Sequence, residues 1–217
     1  MIFSPKLFVM LKILSSEYQL YASGKIFRMP RFWDENLHFA KGSNMKEIIF
    51  LIGFRAVGKT TVGRQLADRL GFSFLDTDIL ICEKKGATVN DIVKAEGWDG
   101  FRRSEQEVLQ GLAEQRRCVI ATGGGAILHR HLWPLLKEHG HVVWLTADPD
   151  ILCQRIQVDS ASDALRPSLT GKGVCAEVRE ILAIREPLYR ETADIIVDTG
   201  KLSVPEILDV IITAVSI

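Results

Sequence analysis

The stretch Gly53-Phe54-Arg55-Ala56-Val57-Gly58-Lys59-Thr60 decides the reading of this 217-residue chain. It fits the pattern G-x-x-x-x-G-K-[ST], and its flanks fit as well. Before it, Ile48-Ile49-Phe50-Leu51-Ile52 reads as a buried strand. After it, Val62, Leu66 and Leu70 recur at helical spacing until Gly71 offers a C-cap. A strand, a glycine turn and a helix N-terminus aim successive backbone N–H groups at one point, which suits a phosphate. Lys59 would then reach the β- and γ-phosphates of a nucleotide, and the Thr60 hydroxyl would ligate Mg²⁺.

Hydrophobic content of 47% and charged content of 25% are those of a globular protein with one substantial core. A formal net charge of zero gives no electrostatic reason to expect nucleic acid or an anionic membrane as partner. No apolar run approaches the length of about 20 residues that spans a bilayer. Cys82, Cys118, Cys153 and Cys175 are far apart and form no C-x-x-C, the usage of reduced thiols in a cytoplasmic protein.

Residues 1–44 differ from the rest. Their apolar and aromatic residues follow no lasting period, and Leu7-Phe8-Val9-Met10-Leu11 is too brief for a secretory signal. The mostly basic start leaves an organellar transit peptide open. We expect Met45 to be the working start, with residues 1–44 poorly ordered or not made. Intact mass of the protein from its own cell tests this, and a mass that includes residue 1 overturns it.

From Met45 to residue 217, strand and helix patterns alternate, which predicts one α/β domain with a parallel sheet covered on both faces. Phe72–Leu75 reads as a strand running into Asp76-Thr77-Asp78. Helices are expected over Ile79–Lys85, Thr88–Glu96 and Phe101–Gln115. Val119–Thr122 reads as a third strand that runs into Gly123-Gly124-Gly125, and Val142–Leu145 as a fourth. Helices near Pro149–Gln157 and over Val174–Arg190 flank a polar stretch from Val158 to Gly173. Ile195–Val197 is a last strand, and Ser203-Val204-Pro205-Glu206 opens a final helix with a capping box.

In an open parallel sheet, ligands bind beyond the carboxyl ends of the strands. The phosphate loop, Asp76-Thr77-Asp78 and the triple glycine all fall on such ends. Spacing of two on an extended strand would point both aspartates the same way. One could hold Mg²⁺ through water while the other accepts a proton from an attacking hydroxyl. Gly123, Gly124 and Gly125 would let a ligand approach the backbone closely. Among Arg102 and Arg103, one would face an anionic ligand. Arg185 is open to the same reading, and Pro187 suggests a kink or break in its helix. Arg166, inside the polar stretch, is placed to bring positive charge to a transferring group beneath a closing segment. His129 and His131 read as surface histidines, because no third ligand stands at metal-binding spacing.

These motifs together resemble the shikimate kinase family, small relatives of the nucleoside monophosphate kinases. The resemblance runs from Met45 to the C-terminus. It rests on G-F-R-A-V-G-K-T-T at 53–61, D-T-D at 76–78, F-R-R-S-E at 101–105, T-G-G-G at 122–125, R-P-S-L at 166–169 and R-E-P-L-Y at 185–189. It implies a three-layer α/β/α phosphate-loop kinase fold with a mobile lid. The activity implied is ATP-dependent phosphorylation of the 3-hydroxyl of shikimate, on the route to chorismate and the aromatic amino acids. Gly53, Ala56, Val57, Gly58, Lys59, Thr60 and Thr61 would hold ATP, with Thr60 and Asp76 on Mg²⁺. Asp78 would bind the substrate hydroxyl and serve as base. Arg102 and Arg185 would grip the substrate carboxylate, and Gly123, Gly124 and Gly125 would line its site. Arg166 resembles the lid arginine, Arg155 an arginine near the adenine, and Val197-Asp198 with Pro205 the adenine loop.

This chain departs from the family pattern at Ala56, where many members have glycine, which is tolerable if the local φ is negative. The lid is also somewhat long, with Ser168 where leucine is common. The resemblance implies ATP and shikimate as partners; we expect a monomer, with neither nucleic acid nor membrane as partner. The competing readings are another small-molecule kinase on this scaffold, such as a gluconate kinase, and a nucleotide-binding regulatory module without turnover.

Overall fold

The computed structural model describes residues 46–158 and 173–215, together with the backbone of 10–14, 17–22 and 25–28. The chain divides between Asn44 and Met45 into two units. In the first, β1 (Met10–Leu14), β2 (Glu17–Ala22) and β3 (Lys25–Arg28) pair as an antiparallel meander, with Met10 opposite Tyr21 and Gln19 opposite Arg28.

The second unit is built on β4 (Ile48–Ile52), β5 (Ser73–Asp76), β6 (Cys118–Ala121), β7 (Gly140–Thr146) and β8 (Ile195–Asp198). All pair in parallel in the order β5-β6-β4-β7-β8. Every residue of β4 is buried, as expected of a central strand covered on both faces. The connections leave β4 for β5, return to β6, and then cross over to β7. The carboxyl end of β4 therefore sits where the winding reverses, the place where open α/β sheets bind ligands.

Helix α1 (Lys59–Leu70) follows the phosphate loop and ends on Gly71 at φ 65°, as its sequence pattern predicts. Asp76 ends β5 and caps α2 (Thr77–Lys85) by accepting the Asp78 N–H at 3.0 Å. The extended D-T-D expected from sequence is therefore corrected: Asp78 lies in the first turn of a helix. Helix α3 (Val89–Gly111) takes in both predicted helices and bends at Gly97, whose φ of 69° and ψ of 177° are non-helical. Its second half begins at Trp98, three residues before the expected start.

After α4 (Trp133–His139) and α5 (Pro149–Val158), α6 (Val174–Thr192) runs through Pro187 without breaking. Helix α7 (Val204–Val215) opens with Glu206 accepting the Ser203 N–H at 2.8 Å, half of the predicted capping box. The main core surrounds the sheet. A smaller one, with Ile81, Val89, Ile92 and Phe101 at its centre, holds α2 against α3.

Candidate active site

At the nucleotide side, the loop between β4 and α1 curls into a nest. Gly53 has φ 141°, and a Cβ there would come within 2.3 Å of the Leu145 carbonyl oxygen, so only glycine passes. Ala56 has φ 59°, in the left-handed region. The negative φ that would make alanine tolerable without strain is thus not what the loop adopts, and the alanine takes a conformation that costs about 1 kcal/mol or more relative to glycine. Lys59 arches back, with Nζ donating to the carbonyls of Gly53 at 2.9 Å and Phe54 at 2.8 Å. Thr60 Oγ1 donates to Asp76 Oδ2 at 3.0 Å, so two oxygen donors meet at the first turn of α1.

Beside the loop lies a cavity of about 370 Å³ walled by Ala56, Val57, Gly58, Thr61, Arg155, Thr199 and Val204, among others. Arg155 donates to Thr199 Oγ1 at 3.0 Å and to its carbonyl at 2.8 Å, and Thr199 Oγ1 donates to the Val57 carbonyl at 3.0 Å. Thr199, which the sequence reading missed, buckles the loop to Arg155. Asp198 instead closes its own turn, accepting from Gly200 N at 2.9 Å and pairing with Lys201 at 3.0 Å.

On the other side of the loop is a cleft lined by Phe54, Arg55, Asp78, Trp98, Phe101, Arg102, Glu105, Gly124, Gly125 and Arg185, with Val89. Restarting α3 at Trp98 places Trp98, Phe101, Arg102 and Glu105 at i, i+3, i+4 and i+7, on one helical face. Arg102 enters the cleft, and Arg103 is exposed. The Arg102 guanidinium lies 5.4 Å from the Trp98 and Phe101 ring centres and donates to Glu105, which is fully buried. His129, expected at the surface, is 8% exposed, and its Nε2 lies 3.0 Å from the same Glu105 oxygen. Burial of the turn after β6, which a tripeptide cannot reveal, accounts for that correction. His131 is exposed.

At Gly123 and Gly125 neighbouring side chains leave no room for a Cβ. A Cβ on Gly123 would lie 2.6 Å from Asp78 Oδ1 and 2.7 Å from Glu105 Oε1, and one on Gly125 would overlap the Arg102 guanidinium. The Gly124 carbonyl accepts from Arg185 at 2.9 Å and from Tyr189 Oη at 2.7 Å. Burial pulls the Arg185 guanidinium below its ordinary value, despite support from Tyr189. Burial likewise pushes the Tyr189 hydroxyl up to about 12. Arg166 and the rest of the polar stretch at 159–172 lie outside the described residues. Arg55, Trp98, Glu105 and Tyr189 were not singled out as site residues. The helical stripe at 98, 101, 102 and 105 was available as a signal.

A doubly wound parallel sheet, with a phosphate loop at its switch point and an arginine-lined cleft across it, defines a phosphate-loop kinase. The sequence model of the shikimate kinase family matches residues 55–216. Shikimate kinase of Syntrophus aciditrophicus is 45% identical over 172 residues, 76% of this chain and 88% of that protein. Shikimate kinase 2 of Yersinia enterocolitica is 44% identical over 157 residues, 72% of this chain and 89% of that one. Among solved structures, shikimate kinase from Acinetobacter baumannii in complex with shikimate superposes with a TM-score of 0.71 at 38% identity. That match covers 78% of this chain and 92% of the other. The chain belongs to the shikimate kinase family.

Proposed function

We infer that the protein transfers the γ-phosphoryl group of ATP to the 3-hydroxyl of shikimate, giving shikimate 3-phosphate and ADP. The observation that carries the reading is the placement of Asp78 between the two halves of the site. Its backbone N–H binds Asp76, the partner of Thr60, while its own carboxylate faces Gly123 and Glu105 in the arginine cleft. In this reading Asp78 accepts the hydroxyl proton as the oxygen attacks phosphorus in line and the bond to the ADP oxygen breaks. Arg102 and Arg185 grip the shikimate carboxylate through charge-assisted hydrogen bonds, which fixes the attacking hydroxyl toward the loop. Gly123, Gly124 and Gly125 keep that floor thin.

Lys59 holds the β- and γ-phosphates, together with the backbone of Gly53 and Ala56 through Thr61. Arg155 walls the adenine side, while Asp198 contributes by shaping the turn that carries Thr199. Arg166 brings positive charge to the transferring group. Thr60 and Asp76 fit Mg²⁺, since both are hard oxygen donors held together at the helix N-terminus. When bound, Mg²⁺ neutralises phosphate charge. The reading also carries a cytoplasmic monomer working without nucleic acid or membrane. Among the described residues, no helix is long and apolar enough to cross a membrane. Domain 45–217 would act alone, with 1–44 as an extension.

The test is ADP release with shikimate, gluconate, quinate and nucleoside monophosphates side by side. Turnover confined to shikimate is expected. Turnover with gluconate or a nucleotide instead would overturn the assignment, and no turnover with any acceptor would favour a regulatory module.

A further inference from the structure

Arg55 is the third residue of the phosphate loop, yet it lines the acceptor cleft rather than the nucleotide cavity. It is held there by Glu177, which accepts from Arg55 Nη2 at 2.7 Å and is itself 1% exposed. Glu177 lies in the first turn of α6, and steps of four along that helix give Ile181, Arg185 and Tyr189, all buried. One face of α6 thus presents Glu177 to Arg55 and sets Arg185 and Tyr189 against Gly124. The phosphate-loop backbone and Arg185 meet at that glycine: a Cβ built there would lie 3.5 Å from the Arg55 backbone nitrogen and 3.8 Å from Arg185 Nη1.

The pairing of Arg55 is incomplete. Its Nε is buried and donates to nothing, and Oε1 of Glu105 is buried and accepts nothing; both residues line this cleft. A buried polar atom without a partner costs about 1–3 kcal/mol. Such atoms are few in native proteins, and a ligand contact is one way in which they find a partner. The Arg55 side chain is 14% exposed, and its Nη2 is already held by Glu177. An anionic oxygen reaching its remaining N–H groups would complete a planar fork anchored on one side by a carboxylate.

We propose that Arg55 is a third anion-binding residue of the acceptor cleft, and that Glu177 is the residue that positions it. This rests on the shikimate kinase reading. The anion is substrate-borne, either the carboxylate of shikimate or the phosphate it acquires.

The test measures Kd for shikimate, shikimate 3-phosphate and ATP by calorimetry. The proteins are the wild type, R55K, E177Q and the double variant R55M/E177M, which removes both charges and leaves no buried ion unpaired. The double variant should lose tenfold or more in affinity for shikimate 3-phosphate while its ATP affinity stays within twofold. An equal loss for unphosphorylated shikimate assigns the contact to the carboxylate; retained shikimate affinity assigns it to the phosphate. E177Q should raise the shikimate KM about threefold with little change in kcat, a split that a purely structural ion pair would not produce. A folded double variant that binds both acceptor ligands like the wild type overturns the proposal. If the double variant fails to fold, R55K decides: about fivefold weakening is expected, and unchanged affinity overturns it. Wild-type protein that binds ATP but not shikimate would overturn the functional reading instead.

Discussion

Asp78 and Arg185 both line the cleft beside the phosphate loop and should fail in different ways when replaced. Asp78→Asn keeps the shape and the N–H that binds Asp76 but cannot take a proton. It should retain ATP affinity and lose turnover by about 10²–10⁴-fold; near-normal turnover would refute the role as base. Arg185→Ala removes a buried guanidinium that bonds the Gly124 carbonyl. The shikimate KM should rise by about tenfold or more, with kcat affected less, as when ground-state binding is lost. An effect confined to the ATP KM would refute it. Ala56 is a third case, because its φ of 59° strains an alanine and not a glycine. Ala56→Gly should leave the melting temperature equal or raise it by a few degrees, the relief of strain outweighing the added freedom of the unfolded chain. A clear drop would show that the loop draws support from the methyl group.

At the scale of elements, the bend at Gly97 does more for the site than any single helix. It re-aims α3 so that Trp98, Phe101, Arg102 and Glu105 share the face that meets the cleft. With φ 69° and ψ 177°, Gly97 occupies backbone space closed to other residues. Gly97→Ala should therefore cost about 1–3 kcal/mol, seen as a fall of several degrees in melting temperature. It should also raise the shikimate KM with little change for ATP. Loss of stability without that KM change would mean that the two halves of α3 are set independently. The stripe at 98, 101, 102 and 105 was legible from sequence by its i, i+3, i+4, i+7 spacing. The bend was not, since an isolated glycine in a helical pattern is compatible with a straight helix. Pro187 misled in the opposite direction: its lost N–H suggested a break, yet packing of Arg185 and Tyr189 carries α6 through to Thr192.

At the scale of the whole molecule, the sheet and α6 meet through Tyr189, which is 1% exposed and stacks on Trp144 with ring centres 5.8 Å apart. Its hydroxyl titrates near 10.0 in an unfolded chain and at about 12 here, chiefly because burial disfavours the phenolate. Below pH 10 both states keep the proton and the full contribution is present. Between pH 10 and 12 the unfolded chain loses its proton first, and about 2–3 kcal/mol of stability is lost. Denaturant midpoints across this range should fall steeply for the wild type and less steeply for Tyr189→Phe. Parallel curves would show that Tyr189 does not control alkaline unfolding.

The phosphate loop, the order of strands and helices and the motifs that carry Arg102 and Arg185 were written in short local patterns, because backbone geometry and apolar period act over a few residues. The resemblance of the motif set supplied the family. Tertiary structure alone decided that Asp76 caps a helix whose first turn holds Asp78, that His129 is buried against Glu105, and that Ala56 takes a positive φ. It also brought Glu177 to Arg55, 122 positions earlier in the chain. Each of these depends on which surfaces the parallel sheet brings together across its switch point. Contacts at that separation leave no period for a sequence pattern to display.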